Sequence, residues 1–110
     1  MSFTRVATVG QLPPGGMQAY SPGGRDILLV NYDGGYYALN RRCTHRGGDL
    51  AKGTLKGKVV TCPRHGSRFD VTTGKCLSGP RLGPLSFKVH DEDTYPVRVE
   101  GDDILVDIDG

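Results

Sequence analysis

Two pairs of cysteine and histidine are the residues of this chain best suited to metal chemistry. Cys43 and His45 form a C-x-H pair, and Cys62 and His65 form a C-x2-H pair, with sixteen residues between the two pairs. Two thiolates and two imidazoles are enough ligands for one tetrahedral metal ion or for a two-iron cluster. Structural zinc sites usually group cysteines with cysteines and histidines with histidines, whereas each segment here holds one of each. The mixed pairs therefore favour a [2Fe–2S] cluster between two loops, with a structural zinc module as the alternative.

The two motifs, C-T-H-x-G-G and C-P-x-H-G-S, resemble the cluster-binding motifs of the Rieske iron–sulfur family. The resemblance extends over at least residues 41–87 and implies one Rieske-type [2Fe–2S] cluster per chain. It implies that Cys43 and Cys62 bind the buried iron and that His45 and His65 bind the outer iron. In the family the two imidazoles lie at the exposed tip, so electrons would enter and leave through them.

The other cluster contacts of the family are only partly present. Gly48 and Arg64 stand where the Rieske subunits of respiratory and photosynthetic cytochrome complexes have two more cysteines, which form a disulfide. Ser67 retains a hydroxyl that hydrogen-bonds a cluster sulfur in those subunits, but Phe69 replaces their tyrosine, and one donor fewer implies a lower reduction potential. Pro80 fits the proline-bearing loop that covers the cluster. The pattern is similar to soluble Rieske-type ferredoxins and to the Rieske domains of ring-hydroxylating oxygenases.

The number of histidines separates a ferredoxin from an oxygenase. The catalytic half of an oxygenase needs a further iron held by two histidines and a carboxylate, and His90 is the one histidine outside the two motifs. The resemblance therefore implies an electron carrier and not an enzyme. We expect it to accept single electrons from an NAD(P)H-dependent flavoprotein reductase and to pass them to a terminal oxygenase of the ring-hydroxylating type. The alternative is a Rieske small subunit of a larger redox enzyme, such as an assimilatory nitrite reductase.

The segments that must position the two loops have the alternating pattern of β-strands. Residues 26–32 and 36–40 flank an Asp-Gly-Gly turn and predict a hairpin. Residues 95–99 and 104–108 alternate around a Gly-Asp-Asp turn and predict a second hairpin with one buried face. No window has a helical period, so the sequence predicts an all-β fold with an antiparallel sandwich or barrel framework. Further strands are predicted at residues 58–61 and 86–89.

The length of 110 residues predicts a single domain, spanning residues 1–110. Within it, residues 41–84 are rich in glycine and proline and have few consecutive apolar residues. Such a stretch would struggle to build its own hydrophobic core, so we expect a small cluster-binding subdomain, organised by its metal and inserted into the β framework. Outside the motifs, Cys76 is predicted to be a small, partly buried residue of a hairpin, with a reactive thiol as the alternative, and His90 to be a surface or strand-end residue.

The net charge of +2 conceals an uneven distribution of charge. Residues 41–81 carry +8 and the rest of the chain −6, which indicates either an ordinary solvated surface or a docking end for acidic partners. The chain has no tryptophan, no apolar run near the roughly 18 residues of a membrane span and no signal-peptide core. We therefore expect a cytoplasmic protein that binds neither nucleic acid nor membrane. Three cysteines, an odd number, also argue against a disulfide framework.

Overall fold

The computed structural model of the chain describes residues 3–43, 48–64, 66–78, 81–82, 85–86 and 90–109. These residues form antiparallel strands and three single-turn 3-10 helices, so the predicted all-β class is confirmed. None of the helices in the described part of the chain is long and apolar enough to cross a bilayer. The 3-10 helices are Val9–Gln11, Pro22–Gly24 and Leu50–Lys52, and the strands are β1 (Phe3–Thr8), β2 (Met17–Tyr20), β3 (Ile27–Tyr32), β4 (Gly35–Asn40), β5 (Thr54–Lys56), β6 (Val59–Thr61), β7 (Arg68–Asp70), β8 (Cys76–Ser78), β9 (Arg81–Leu82), β10 (Leu85–Ser86), β11 (Thr94–Tyr95), β12 (Val97–Glu100) and β13 (Asp103–Asp107).

The central sheet has four strands in the order β11-β4-β3-β2. Strands β3 and β4 pair along their whole lengths and are joined by Asp33 and Gly34, which have φ values of 50° and 80°. A two-residue turn with positive φ at both positions matches the right-handed twist of its strands, and the Asp-Gly sequence favours it. The hairpin predicted at residues 26–32 and 36–40 is therefore confirmed.

A second sheet has three strands in the order β1-β13-β12. Strands β12 and β13 form the second predicted hairpin, and the alternation in β13 is as expected, with Ile104 and Val106 fully buried. The prediction of one buried face is wrong for Val99, whose side chain is 45% exposed although it pairs with Ile104. Strand β12 is an edge strand, with a neighbour on one side only. Val99 belongs to neither hydrophobic core, whereas Val97 in the same strand packs against one of them.

A third sheet, in the order β5-β6-β7-β8, carries the segment around the second cysteine. Strand β6 confirms the strand predicted at residues 58–61. Strands β9 and β10 form a separate two-stranded pair, in which Leu82 pairs with Leu85. Strand β10 includes residue 86, the first residue of the strand predicted at residues 86–89. Residues 87–89 lie outside the described residues.

Strand β3 lies between two hydrophobic cores because its successive side chains point to opposite faces of the central sheet. Leu28 and Val30 belong to the first core, and Ile27 and Leu29 belong to the second, which the β1-β13-β12 sheet covers. Residues 41–84 were expected not to build a hydrophobic core of their own, and their described apolar side chains pack together with those of the framework. The organisation of this segment by a metal stays a prediction. The first core consists of Leu28, Val30, Leu39, Cys43, Leu50, Val60, Cys62, Phe69, Val71 and Cys76.

Candidate metal centre

The first cysteine lies directly after β4, in a loop with joined ends. The backbone N–H of Cys43 donates to the carbonyl oxygen of Gly48 at 2.7 Å. Immediately outside this contact, Arg42 and Asp49 form an isolated antiparallel β-bridge. The loop is therefore closed at its base, while His45 lies outside the described residues.

An ion pair reinforces the base of this loop. The Arg41 guanidinium donates to both carboxylate oxygens of Asp49, with Nε–Oδ1 at 3.0 Å and Nη2–Oδ2 at 2.8 Å. The same carboxylate accepts from the Ala51 N–H at 3.0 Å and so caps the following 3-10 helix. The hydrogen bond from Arg41 lowers the pKa of Asp49 more than burial raises it, so Asp49 is ionised throughout the neutral range. A two-point pair of this kind fixes the entry and exit of the loop relative to each other.

The second cysteine loop, between β6 and β7, closes in the same way. The Cys62 N–H donates to the carbonyl oxygen of Ser67 at 2.8 Å, and the Gly66 N–H donates to the carbonyl oxygen of Cys62 at 3.2 Å. Gly66 has a φ of 79°, a conformation that favours glycine. In both loops, then, the N–H of the cysteine bonds the carbonyl five residues later. His65 lies within this loop but outside the described residues.

The two loops meet where Gly48 faces Cys62. A Cβ atom added to Gly48 would stand 2.6 Å from the Cys62 sulfur and 3.1 Å from Cγ of Arg64. A glycine is therefore required here for the first loop to approach the second thiol. The contact also places Gly48 beside Arg64, the two positions at which the cytochrome-complex subunits were expected to have a disulfide.

The two thiols are buried in one apolar cluster, with Cys43 4% exposed and Cys62 3% exposed, and neither forms a disulfide. Ser67 is 1% exposed, and its buried hydroxyl has no hydrogen-bond partner among the described residues. An unpaired buried hydroxyl costs about 1–3 kcal/mol, so a missing acceptor is expected beside it. Two thiolate donors and a hydroxyl in need of an acceptor fit a cluster that has both ferric irons and sulfides.

The structure thus brings together five of the predicted site residues. Cys43, Cys62 and Phe69 belong to the first core, Gly48 contacts Cys62, and Ser67 closes the second loop. The described residues contain no group of three or more histidine, cysteine or acidic side chains that could hold a metal ion. The predicted residues that lie outside the described residues are His45, His65 and Pro80.

Sequence reasoning missed the ion pair between Arg41 and Asp49. Both residues were counted only as part of the charge distribution, because opposite charges eight residues apart in a loop have no periodic signature. A weaker local signal was present, since an aspartate often caps a short helix that begins at the next residue, as Asp49 does before Leu50. Such a cap does not reveal which cation approaches the carboxylate.

The hairpin position predicted for Cys76 and the surface position predicted for His90 are confirmed, although Cys76 is more deeply buried than predicted. Cys76 is 2% exposed in β8, where its N–H donates to Oδ1 of Asp91 at 2.7 Å, so its thiol is a packing group of the first core. His90 is an exposed residue outside the strands. Neither lies in the two cysteine loops.

The chain is similar in sequence and in fold to known proteins. A family model described as "Rieske [2Fe-2S] domain" matches residues 2–96. The ferredoxin component of biphenyl 2,3-dioxygenase from Rhodococcus jostii (strain RHA1) is 36% identical over 110 residues, covering 100% of this chain and 96% of the relative. The solved ferredoxin of carbazole 1,9a-dioxygenase from Nocardioides aromaticivorans IC177 is 33% identical with a TM-score of 0.77, covering 96% of this chain and 97% of that one. A ferredoxin-sized chain in a solved complex of reduced oxygenase and oxidized ferredoxin of carbazole 1,9a-dioxygenase has 27% identity and a TM-score of 0.77, covering 94% and 91%.

Proposed function

The chain belongs to the Rieske [2Fe-2S] domain family, and we propose that it is the ferredoxin component of a ring-hydroxylating dioxygenase system. It carries one Rieske-type [2Fe–2S] cluster and transfers electrons; it is not itself the oxygenase. The observation that carries this proposal is the match over nearly the whole length of both the chain and the ferredoxin components it resembles. The alternative, a small subunit of an enzyme such as an assimilatory nitrite reductase, is not favoured by these relatives.

The proposed cluster ligands are Cys43 and Cys62 for the buried iron, and His45 and His65 for the outer iron. The support is the burial of both thiols, the contact between their loops and the Ser67 hydroxyl that needs an acceptor. When bound, the cluster supplies a site that gains and loses one electron. The chain's own residues hold it: two backbone hydrogen bonds close the loops, and the first core shields both thiolates from water.

A ligand test compares three histidine variants of the purified protein. His45→Ala and His65→Ala remove imidazoles proposed to bind iron and should abolish or convert the Rieske spectrum, whereas His90→Ala is the matched control and should leave it intact. Two irons and two sulfides per wild-type chain, with the visible circular dichroism of a Rieske centre, are the expected analysis. One zinc ion per chain in a colourless protein would support the alternative, a structural zinc module. An intact spectrum in His45→Ala or in His65→Ala would refute the assignment of that histidine as a ligand.

The proposed partners are an NAD(P)H-dependent flavoprotein ferredoxin reductase as electron donor and a terminal oxygenase as acceptor. The solved complex of oxygenase and ferredoxin in carbazole 1,9a-dioxygenase supports the acceptor, and the dioxygenase systems of the relatives support the donor. We further propose a cytoplasmic location, since NAD(P)H is the ultimate source of electrons. Nucleic acid and membrane are not proposed as partners.

We also propose that residues 1–110 act as one Rieske domain, with residues 41–84 as its cluster-binding part. The support is the first core, to which both the framework and that part contribute side chains.

The function is tested by reconstitution: reductases and terminal oxygenases encoded near this gene are combined with NAD(P)H, an aromatic substrate and the holoprotein. Hydroxylated product that forms only when the holoprotein is added is expected. No reduction of the carrier by any such reductase would overturn the carrier role.

A further inference from the structure

Exposed arginines flank both cysteine loops. Arg42 directly precedes Cys43, Arg64 is two residues after Cys62, and Arg68 begins β7 at the end of the second loop. All three are exposed. We refer to Arg42, Arg64 and Arg68 as the arginine rim.

The carboxylates nearest to the rim in sequence form ion pairs with residues outside the rim. Residues 41–90 contain two acidic residues, Asp49 and Asp70. Asp49 is held by Arg41 at 2.8 Å, and Asp70 is paired with Lys58 at 3.5 Å; both carboxylates are 11% exposed. Asp49 also interacts electrostatically with Arg42 and so offsets part of the charge of the rim, but residues 41–81 carry +8 in total, whereas the rest of the chain is acidic.

An exposed leucine lies next to this rim. The pairing of β7 with β8 shifts by one residue, so that Leu77 is the extra residue of a β-bulge beside the Arg68–Ser78 pair. Leu77 is 40% exposed, and Nε of Arg68 donates to the Ser78 hydroxyl at 2.9 Å, which restricts the arginine. An apolar side chain beside a positioned arginine is typical of a protein-docking surface.

We propose that the arginine rim and Leu77 dock an acidic surface of the flavoprotein reductase, the electron donor. This inference rests on the proposed function and adds the chemistry of the partner's surface. In the docked pair, one electron passes from the reduced flavoprotein to the cluster; the donor is oxidised by one electron, and no bond or proton is transferred. The formal charge of the cluster with its four ligands falls from 0 to −1.

This change of charge is the reason for assigning the acidic surface to the donor. A cluster held by Cys43 and Cys62 would lie close to Arg42 and Arg64, so its added negative charge would oppose the attraction of the rim to the partner's carboxylates. The carrier would therefore bind more tightly before it is reduced than afterwards. An acidic acceptor would do the opposite and retain the spent, oxidised carrier. Coulomb attraction between unit charges in water over roughly 10 Å is about 0.4 kcal/mol, which predicts about a twofold difference in affinity at low ionic strength that salt would screen.

The sign of the docking surface is tested without any partner protein, by voltammetry of the holoprotein on gold. Carboxylate-terminated monolayers represent an acidic surface, and ammonium-terminated monolayers are the opposite. We expect rapid electron exchange on carboxylate, lost at high salt, and a midpoint potential about 18 mV below that in solution, the equivalent of a twofold preference for the oxidised form. Exchange that is equal or faster on ammonium would overturn the proposal, and so would a bound potential at or above the solution value.

Two matched variants locate the surface. Arg68→Gln removes one positive charge from the rim and should slow exchange on carboxylate several-fold. Lys56→Gln removes one positive charge from the same sheet, at the end of β5 that is farther from Cys62. This variant should leave the rate unchanged. Equal effects of the two variants would show that net charge decides the rate and would overturn the rim. Because no reductase is present, these results are independent of the failure or success of the reconstitution.

The assignment to the donor is tested by titrating the flavoprotein reductase found by reconstitution with oxidised and with reduced holoprotein at low salt. Oxidised carrier should bind about twofold more tightly, and Leu77→Ser should weaken both forms without changing their ratio. Equal or tighter binding of the reduced form would overturn the assignment. Binding of a random-sequence DNA duplex as tightly as the reductase would instead assign the rim to nucleic acid.

Discussion

Gly48 and Cys62 belong to different loops, yet a single added carbon on the glycine would stand 2.6 Å from the cysteine sulfur. This is well inside van der Waals contact, so the first loop approaches the second thiol with its backbone. Arg64 closes the same space, with Cγ and Cδ at 3.1 and 3.2 Å from that carbon position. The geometry of the proposed cluster therefore depends on a residue that is not itself a proposed ligand.

Gly48→Ala should displace the Cys62 sulfur and alter the cluster. We expect a changed visible circular dichroism, loss of iron during purification and a cost of about 1–3 kcal/mol in unfolding free energy, as for overpacking of a core. Gly10→Ala is the control, since nothing lies within 4 Å of its added carbon. An unchanged spectrum and iron content in Gly48→Ala would show that the two loops can separate without affecting the cluster.

Ser67→Ala should lower the reduction potential with little effect on stability. The hydroxyl has no partner among the described residues, so its loss breaks no hydrogen bond seen within that part of the protein. If it donates to a cluster sulfur, a bond stronger by roughly 1.4 kcal/mol in the reduced state corresponds to about 60 mV. Redox titration measures the shift, with Ser78→Ala, which removes the acceptor of Arg68, as control. A potential equal to wild type would remove Ser67 from the cluster's hydrogen bonds.

Phe69→Tyr should raise the potential by a similar amount, about 60 mV, by adding a donor to a cluster sulfur. Phe69 is fully buried in the same core as both thiols, so its new hydroxyl would have few other acceptors. Phe3→Tyr makes the same change in β1, away from that core, and should leave the potential unaltered. A destabilised Phe69→Tyr protein with an unshifted potential would mean that the hydroxyl is buried unpaired and that the correspondence with the tyrosine position is wrong.

Stability should fall at acid pH through Asp49 and Asp70. The hydrogen bond from Arg41 lowers the pKa of Asp49 below the usual 3.8. Burial raises the pKa of Asp70, but the hydrogen bonds from Thr72 and the charge of Lys58 together lower it by more, so that this pKa is also below 3.8. A depressed folded-state pKa stabilises the fold above the unfolded-state value, and that stabilisation is lost as pH falls through the folded-state value.

The acid sensitivity is measured by denaturant unfolding of the wild type and of Asp49→Asn between neutral pH and pH values below about 4. Asp49→Asn should be less stable at neutral pH and should lose less on acidification, because it has no charge to neutralise there. Asp33→Asn, at an exposed position in the β3–β4 turn, is the control. Parallel curves for the wild type and Asp49→Asn would exclude Asp49 as a source of the pH dependence.

Removal of the cluster should loosen the two loops without unfolding the β framework. Leu50, Val60 and Phe69 remain packed against Leu28 and Val30 whether or not metal is bound, because these contacts are apolar. In apoprotein we expect native-like far-ultraviolet circular dichroism and a reduced melting temperature. Hydrogen exchange should become faster at the N–H groups of both loop cysteines and stay slow in β3. Complete unfolding on metal removal would show that the metal organises residues 41–84, as expected from sequence.

Local patterns in the sequence were enough for the ligand motifs and for much of the β structure. The cysteine–histidine spacing identified the chemistry because all its members lie within a few residues of each other in each loop. Asp33 and Gly34 specified their turn because that turn depends on two residues. The burial of β3 on both faces was not predicted, although its run of apolar residues, Ile27–Val30, is typical of a fully buried strand.

Tertiary structure alone decided how these parts combine. The approach of Gly48 to Cys62, the ion pair of Arg41 with Asp49 and the exposure of Val99 all depend on which distant segments become neighbours. Sequence also suggested that residues 41–84 would need metal in place of a core, because their apolar residues are scattered. Those residues are scattered because the framework supplies the other half of the core: Val60 and Phe69 complete a layer begun by Leu28 and Val30, and burial by a remote strand leaves no local pattern.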